Sequence, residues 1–219
     1  MDESDTMDDS QPAKELSFIA TLATDIERAL HQAEVSNAGS DRRNALRTII
    51  SAMEGAAWIY RMHVLSVARG IDMSTPRLEF AFSETVLFVS EQGEIKEQRR
   101  FVSTTAMIRL ATKTAQEMCP HLKIDFMNPG WQKLKDSIRL RNRITHPKNL
   151  EDLVVSRRNL DDAKMGFDWF LTTVADVMEV TLKEFSAYAA DAKDIIEKLS
   201  AGDPDTIALY ERARRESDD

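Results

Sequence analysis

The sequence predicts an all-α fold: an antiparallel helical bundle with one small β-hairpin insertion and a long C-terminal helix. Two observations carry that expectation. Glycine and proline are scarce, seven and six in 219 residues, too few for a turn-rich all-β chain. Apolar residues also recur every three or four positions over long stretches, the mark of helices with one buried face. Hydrophobic residues make up 42% and charged residues 30%, so the chain can build a core. The length suits one domain with extensions. The expected divisions are a disordered acidic tail over 1–12, a helical domain over 13–200 with the hairpin at 84–101, and an extension over 201–219.

The elements follow in order. A first helix is expected from about Ala13 to Val35, with Ile19, Leu22, Ile26, Leu30 and Ala33 on one face. After the loop "SNAGSD", Ser40 or Asp41 is suited to cap a second helix. Its buried stripe is Leu46, Ile49, Met53, Ala56, Tyr60, Val64 and Val67, and Gly70 is a plausible stop. The two helices read as an antiparallel pair. Pro76 marks the start of a short helix, and "TVLFVSEQGEIKEQRRFV" reads as two strands around a Gln92-Gly93 turn. A third long helix is expected from Ser103 to Met118. Another follows with Asn128 as cap and Pro129 as first residue, and it ends at His146-Pro147 because a residue before proline leaves the helical region. The last helix is expected to start near Asn159, as its cap, with a stripe of Phe167, Phe170, Leu171, Val174, Met178, Leu182, Phe185 and Tyr188. Unbroken to Leu199 it would be roughly 60 Å long, more than such a domain spans, so it either breaks near Tyr188 or packs its end on a second subunit.

Composition excludes several function classes. No run of eighteen apolar residues offers a membrane span. The start, "MDESDTMDDSQP", is acidic and polar, unlike a signal peptide. The single cysteine, Cys119, can form neither an internal disulfide nor a cysteine-rich metal site, and reads as structural. A cytoplasmic location without membrane contact is expected. Scattered glycines make no phosphate loop, and His31, His63 and His121 have no metal-ligand spacing, so no cofactor and no metal are expected. The net charge of -8 argues against nonspecific nucleic-acid binding, yet five acids sit in the first nine residues. Residues 131–148 are the reverse, with six lysines and arginines against one acid, Asp136.

That basic helix carries the functional signal. Trp131, Leu134, Ile138, Arg141 and Thr145 share one face, and Lys135, Arg139, Asn142 and His146 a neighbouring one. Arg141 therefore continues the apolar stripe, where a charge is costly unless paired, and belongs in a crevice or an interface. His146 sits where the helix stops, and the partial negative charge there favours a cation. Histidine beside fixed guanidinium groups suits RNA cleavage. One group must take the 2′-hydroxyl proton, another must protonate the leaving 5′-oxygen, and cations must offset charge on the phosphorane. One histidine cannot easily do both, so two copies in a symmetric dimer fit the chemistry. Arg139, Arg143 and Lys148 are candidates for an RNA groove. Plainer roles stand beside these: an ion pair between Arg141 and an acid on a neighbouring helix, a helix C-cap for His146, and a local Asp136–Arg139 pair.

The run Arg141-Asn142-Arg143-Ile144-Thr145-His146 resembles the arginine-(four residues)-histidine motif of HEPN domains, in the form Arg-Asn-x-x-x-His. The helical core, the motif at a helix end and the long helix after it resemble that superfamily too, over about residues 13–190. The resemblance implies a metal-independent endoribonuclease whose two motifs face each other in a homodimer, as in toxins, phage-defence effectors and CRISPR nucleases. It implies Arg141 and His146 as catalytic residues, Asn142 as a residue that helps order the site, and products with 2′,3′-cyclic phosphate ends. RNA, a second copy of the chain, and an antitoxin or regulatory protein are the partners implied. Two other readings stand: a non-catalytic HEPN module that binds RNA, a nucleotide or a protein, and a purely structural helical dimerisation protein.

Overall fold

Helices α1 (Ser10–Ser36) and α2 (Gly39–Gly70) form an antiparallel pair across two residues, in a computed structural model that describes residues 10–217. Residues 1–9 of the expected tail lie outside the described residues, and residues 10–12 already belong to α1. On α1, Ile26 and Ala33 are buried and Leu22 and Leu30 partly so, whereas Ile19 is exposed. The predicted stripe of α2 is buried throughout, because α2 is the central helix and packs against α1, α4, α5 and α6. The expected cap is corrected: α2 starts at Gly39 with Ala38 at the cap position and no side-chain cap. Asn37 adopts a left-handed φ of 50°, which reverses the chain tightly enough to start the helix early. Asp41 is left to accept from the Ser36 hydroxyl at the end of α1.

The short helix α3 (Pro76–Phe82) is capped by Thr75, whose hydroxyl accepts from the Leu78 amide at 3.2 Å. Strands β1 (Thr85–Val89) and β2 (Ile95–Arg99) pair antiparallel, with Thr85 opposite Arg99 and Val89 opposite Ile95. Gly93 supplies the positive φ, 77°, that the turn between them requires. Leu87, Val89 and Ile95 are exposed, so the hairpin stands off the bundle and only its base is packed.

Helix α4 (Thr104–Met118) begins at a Ser103 cap, and α5 (Pro129–Thr145) at Asn128, whose side-chain oxygen accepts from the Gly130 amide at 2.7 Å. A 3₁₀ turn (Glu151–Leu153) leads to α6 (Arg157–Ser200). Its cap is Ser156, not Asn159. Asn159 instead bonds back to the Ser156 amide, closing a capping box. Helices α5 and α6 approach closely: a Cβ on Gly166 would stand 2.6 Å from the Leu134 backbone nitrogen. Phe126, Trp131 and Trp169 close one end of this seam, with ring centroids 4.9 to 6.0 Å apart.

Helix α6 is unbroken over 44 residues, about 66 Å at 1.5 Å per residue, so of the two alternatives the break near Tyr188 does not occur. Its buried positions end at Thr181, and Phe185 packs on Gly70 at the end of α2. Leu171, Leu182 and Tyr188 of the predicted stripe are exposed. Beyond the bundle the helix meets α7 (Pro204–Ser217), which follows a turn at Gly202, φ 76°. The described residues are thus all-α apart from one two-stranded hairpin, and none of their helices is long and apolar enough to cross a membrane.

Candidate functional site

The basic helix brings its residues to two separate faces. Arg141 is half-buried and forms an ion pair with Glu54 of α2, so the acid partner of the plainer reading exists. The Arg141 Nε is buried and has no hydrogen-bond partner. Thr145 donates back to the Arg141 carbonyl at 2.7 Å. Five residues after Arg141, His146 leaves the helical region at φ −124°, ψ 61°, and its amide donates to the Asn142 carbonyl at 3.1 Å. It closes the helix through its backbone. Its imidazole is exposed and bonds none of the described residues, and the Asn142 side chain is exposed beside it.

Arg139 and Arg143 lie two residues either side of Arg141, half a turn away, and therefore face the opposite side of α5. They line a cavity of about 280 Å³ with Asp136, Asn159 and Asp162. Arg139 pairs with Asp136, as the local spacing suggested, and Arg143 donates to the Val154 carbonyl at 3.3 Å. Lys148 is exposed; its amide is held by Asp152 at 2.8 Å, while its ammonium has no partner among the described residues. The candidate RNA-binding cations are therefore divided. Lys148 lies near His146, whereas Arg139 and Arg143 are not on the Arg141 face.

Helix α2 supplies what the motif alone does not disclose. Arg47 donates to the Ile144 carbonyl at 3.1 Å, Arg43 to the Leu153 carbonyl at 3.1 Å, and Arg42 to the Val155 carbonyl at 2.7 Å. Three guanidinium groups thus fasten the end of α5 and the connection to α6. Arg47 satisfies a carbonyl left open by the end of α5, while Arg42 and Arg43 hold carbonyls of the connection. The run "DRRNALR" at 41–47 contains them, and three arginines in six residues at a helix start are a visible signal.

Of the other titratable groups, burial pushes the Tyr60 phenol up to about 12, where it shares a hydrogen bond with Thr112 at 2.9 Å. Burial lowers the His63 pKa, and burial raises that of the Cys119 thiol. Cys119 is free and buried, as a structural cysteine would be. Among the described residues no three His, Cys, Asp or Glu side chains are grouped as metal ligands. No family model, no curated protein and no solved structure matches this chain.

Proposed function

We propose that the chain is a metal-independent endoribonuclease of the HEPN type, a toxin or phage-defence effector that works as a homodimer with a composite active site. The observation that supports this reading most is the end of α5. There a guanidinium group is half-buried against Glu54 with one N–H still unpartnered, and an exposed imidazole without a partner follows at the helix stop.

The two His146 side chains lie on either side of a scissile phosphate. One accepts the proton of the 2′-hydroxyl as O2′ attacks phosphorus. The other, protonated, gives its proton to the departing O5′, leaving a 2′,3′-cyclic phosphate and a 5′-hydroxyl. Arg141 from each subunit donates to the phosphorane oxygens, where negative charge is greatest. Asn142 orders the turn that carries His146.

The test is incubation of purified protein with mixed RNA in EDTA, alongside His146→Ala. Wild type is expected to give fragments with 2′,3′-cyclic ends, and the variant to lose at least about 100-fold in rate, the contribution of one acid–base group. Equal cleavage by both proteins, or cleavage abolished by EDTA, would sink the reading. A second reading, a non-catalytic HEPN module that binds RNA, a nucleotide or a partner protein, is favoured by the Arg141–Glu54 pair, which already offsets the arginine's charge. Salt-dependent RNA binding by a protein that never cleaves would support it.

A further inference from the structure

The face of α2 that meets Arg141 continues into a cavity. Arg47, Ser51, Glu54, Trp58 and Arg61 recur at spacings of four and three, so they form one row along the helix. At one end Arg47 bonds the last turn of α5, beside His146. In the middle Glu54 holds Arg141. At the other end Trp58 and Arg61 line a cavity of about 260 Å³, closed by the base of the hairpin and the start of α4. The row from Arg47 to Arg61 is about 21 Å long at 1.5 Å per residue.

The cavity is not an ordinary packing defect. Trp58 is 48% exposed on the central helix of the bundle, and Phe101 at the same cavity is 94% exposed. Arg61 is only 6% exposed; it pairs with Glu84 at 2.8 Å, but its Nε has no partner, which is costly for a buried N–H. The two carboxylates of the cavity are engaged, Glu54 by Arg141 and Glu84 by Arg61. Two cations remain without an acid. Arg100 is fixed by the carbonyls of Phe80, Ala81 and Ser83, and Arg99 has no partner among the described residues. A flat, exposed indole beside uncompensated guanidinium groups suits a base with its phosphate attached. Bases stack on aromatic faces without regard to sequence, and phosphate bonds guanidinium strongly.

We propose that this cavity holds one unpaired nucleotide of the RNA substrate, its base stacked on Trp58 and its phosphate bound by Arg99. The strand then runs along the α2 row, past Arg141, to His146. The assignment of this strand as substrate rests on the ribonuclease reading above, but the binding itself does not depend on cleavage.

The experiment uses a labelled single-stranded 2′-O-methyl RNA hexamer, which lacks the attacking hydroxyl, and follows its anisotropy with the full-length protein. Trp58→Ala and Arg99→Glu are each expected to weaken binding at least tenfold. Trp58→Phe, which keeps a stacking face, is expected to stay within about threefold of wild type. The two alanine and glutamate variants alter exposed side chains, and circular dichroism checks that they remain folded. Binding unchanged in both variants overturns the proposal, as does no measurable binding by wild type. Cleavage is measured separately on natural RNA, so a protein that binds through Trp58 and Arg99 yet cuts nothing refutes the nuclease reading and leaves the nucleotide site standing.

Discussion

His63 makes stability depend on pH through the burial of its ring. The Thr181 hydroxyl donates to the Val177 carbonyl at 2.8 Å, so its oxygen is left to accept from His63 Nε2–H, also at 2.8 Å. Burial disfavours the charged ring and lowers the pKa of His63 from the ordinary 6.5. The unfolded chain takes up that proton near 6.5 and the folded chain only at lower pH. Stability is therefore full above about 6.5 and falls as pH drops from there towards the folded-state value. Melting temperature is expected to decline between pH 6.5 and 5 more steeply for wild type than for His63→Gln, whose amide can donate to the same hydroxyl. Equal slopes for the two proteins would show that His63 is not the cause. The same scale marks how far a site can be read from spacing. Helical period alone places Arg141 on the buried side of α5, and its half-burial agrees. The identity of its partner was not legible, because Glu54 lies 87 residues earlier and only the packing of α2 on α5 relates the two. The contacts of Arg42, Arg43 and Arg47 span 97 to 113 residues and were hidden for the same reason. A local run of arginines shows charge, but not which carbonyls it meets.

The elements that position the site depend on how closely α5 lies on α6. Gly166 permits that approach, since a Cβ there would meet Leu134 backbone atoms at 2.6 and 2.8 Å, which a rotamer change cannot relieve. Gly166→Ala would gain about 1 kcal/mol of helix propensity. Against that, forcing an extra carbon into a packed seam costs roughly 1–3 kcal/mol, and backbone contact favours the upper end. The variant is expected to melt about 2–8 °C below wild type, at 2–4 °C per kcal/mol for a chain of this size. A calorimetric Tm at or above wild type would show that the helices separate without cost. Elements with local punctuation were legible: Asn128-Pro129 starts α5, Pro147 stops it, and Gly93 turns the hairpin. The start of α2 was misplaced because Asn37, not a capping side chain, reverses the chain. Helix α7 fell within what read as an extension. Yet Asp203-Pro204 is a cap followed by a first-position proline, and the Asp203 carboxylate does accept from the Thr206 amide at 2.9 Å.

A composite active site constrains the whole assembly. If one phosphate lies between two His146 side chains, the two α5 ends must face each other across a two-fold axis, and the surface around His146 must be the interface. That surface carries Leu150 and Val154, 84% and 62% exposed, in the connection that the α2 arginines hold in place. A second unpartnered apolar surface exists, formed by Tyr188, Ile195 and Ile196 of α6 with Leu209 and Tyr210 of α7. It lies at the far end of α6: from Arg157 to Ile195 the helix runs about 57 Å at 1.5 Å per residue. Closure through that end does not by itself bring the two histidines together. The composite site therefore requires the Leu150 surface, with the α7 end left for other contacts or none. Light scattering after size exclusion is expected to give wild type about twice the 24.8 kDa chain mass. Leu150→Glu with Val154→Glu, which adds four like charges across a two-fold axis, is expected to give the single-chain mass, unchanged helical circular dichroism, and at least about 100-fold slower RNA cleavage, the loss of one acid–base partner. Ile195→Glu with Ile196→Glu is expected to leave both mass and cleavage as they are. The opposite pattern, in which the α6 tail sets the mass and the Leu150 surface affects neither property, would rule out a site shared between two His146 side chains. Any cleavage would then have to be completed within one subunit, and a second acid–base group would have to be sought along the α2 row.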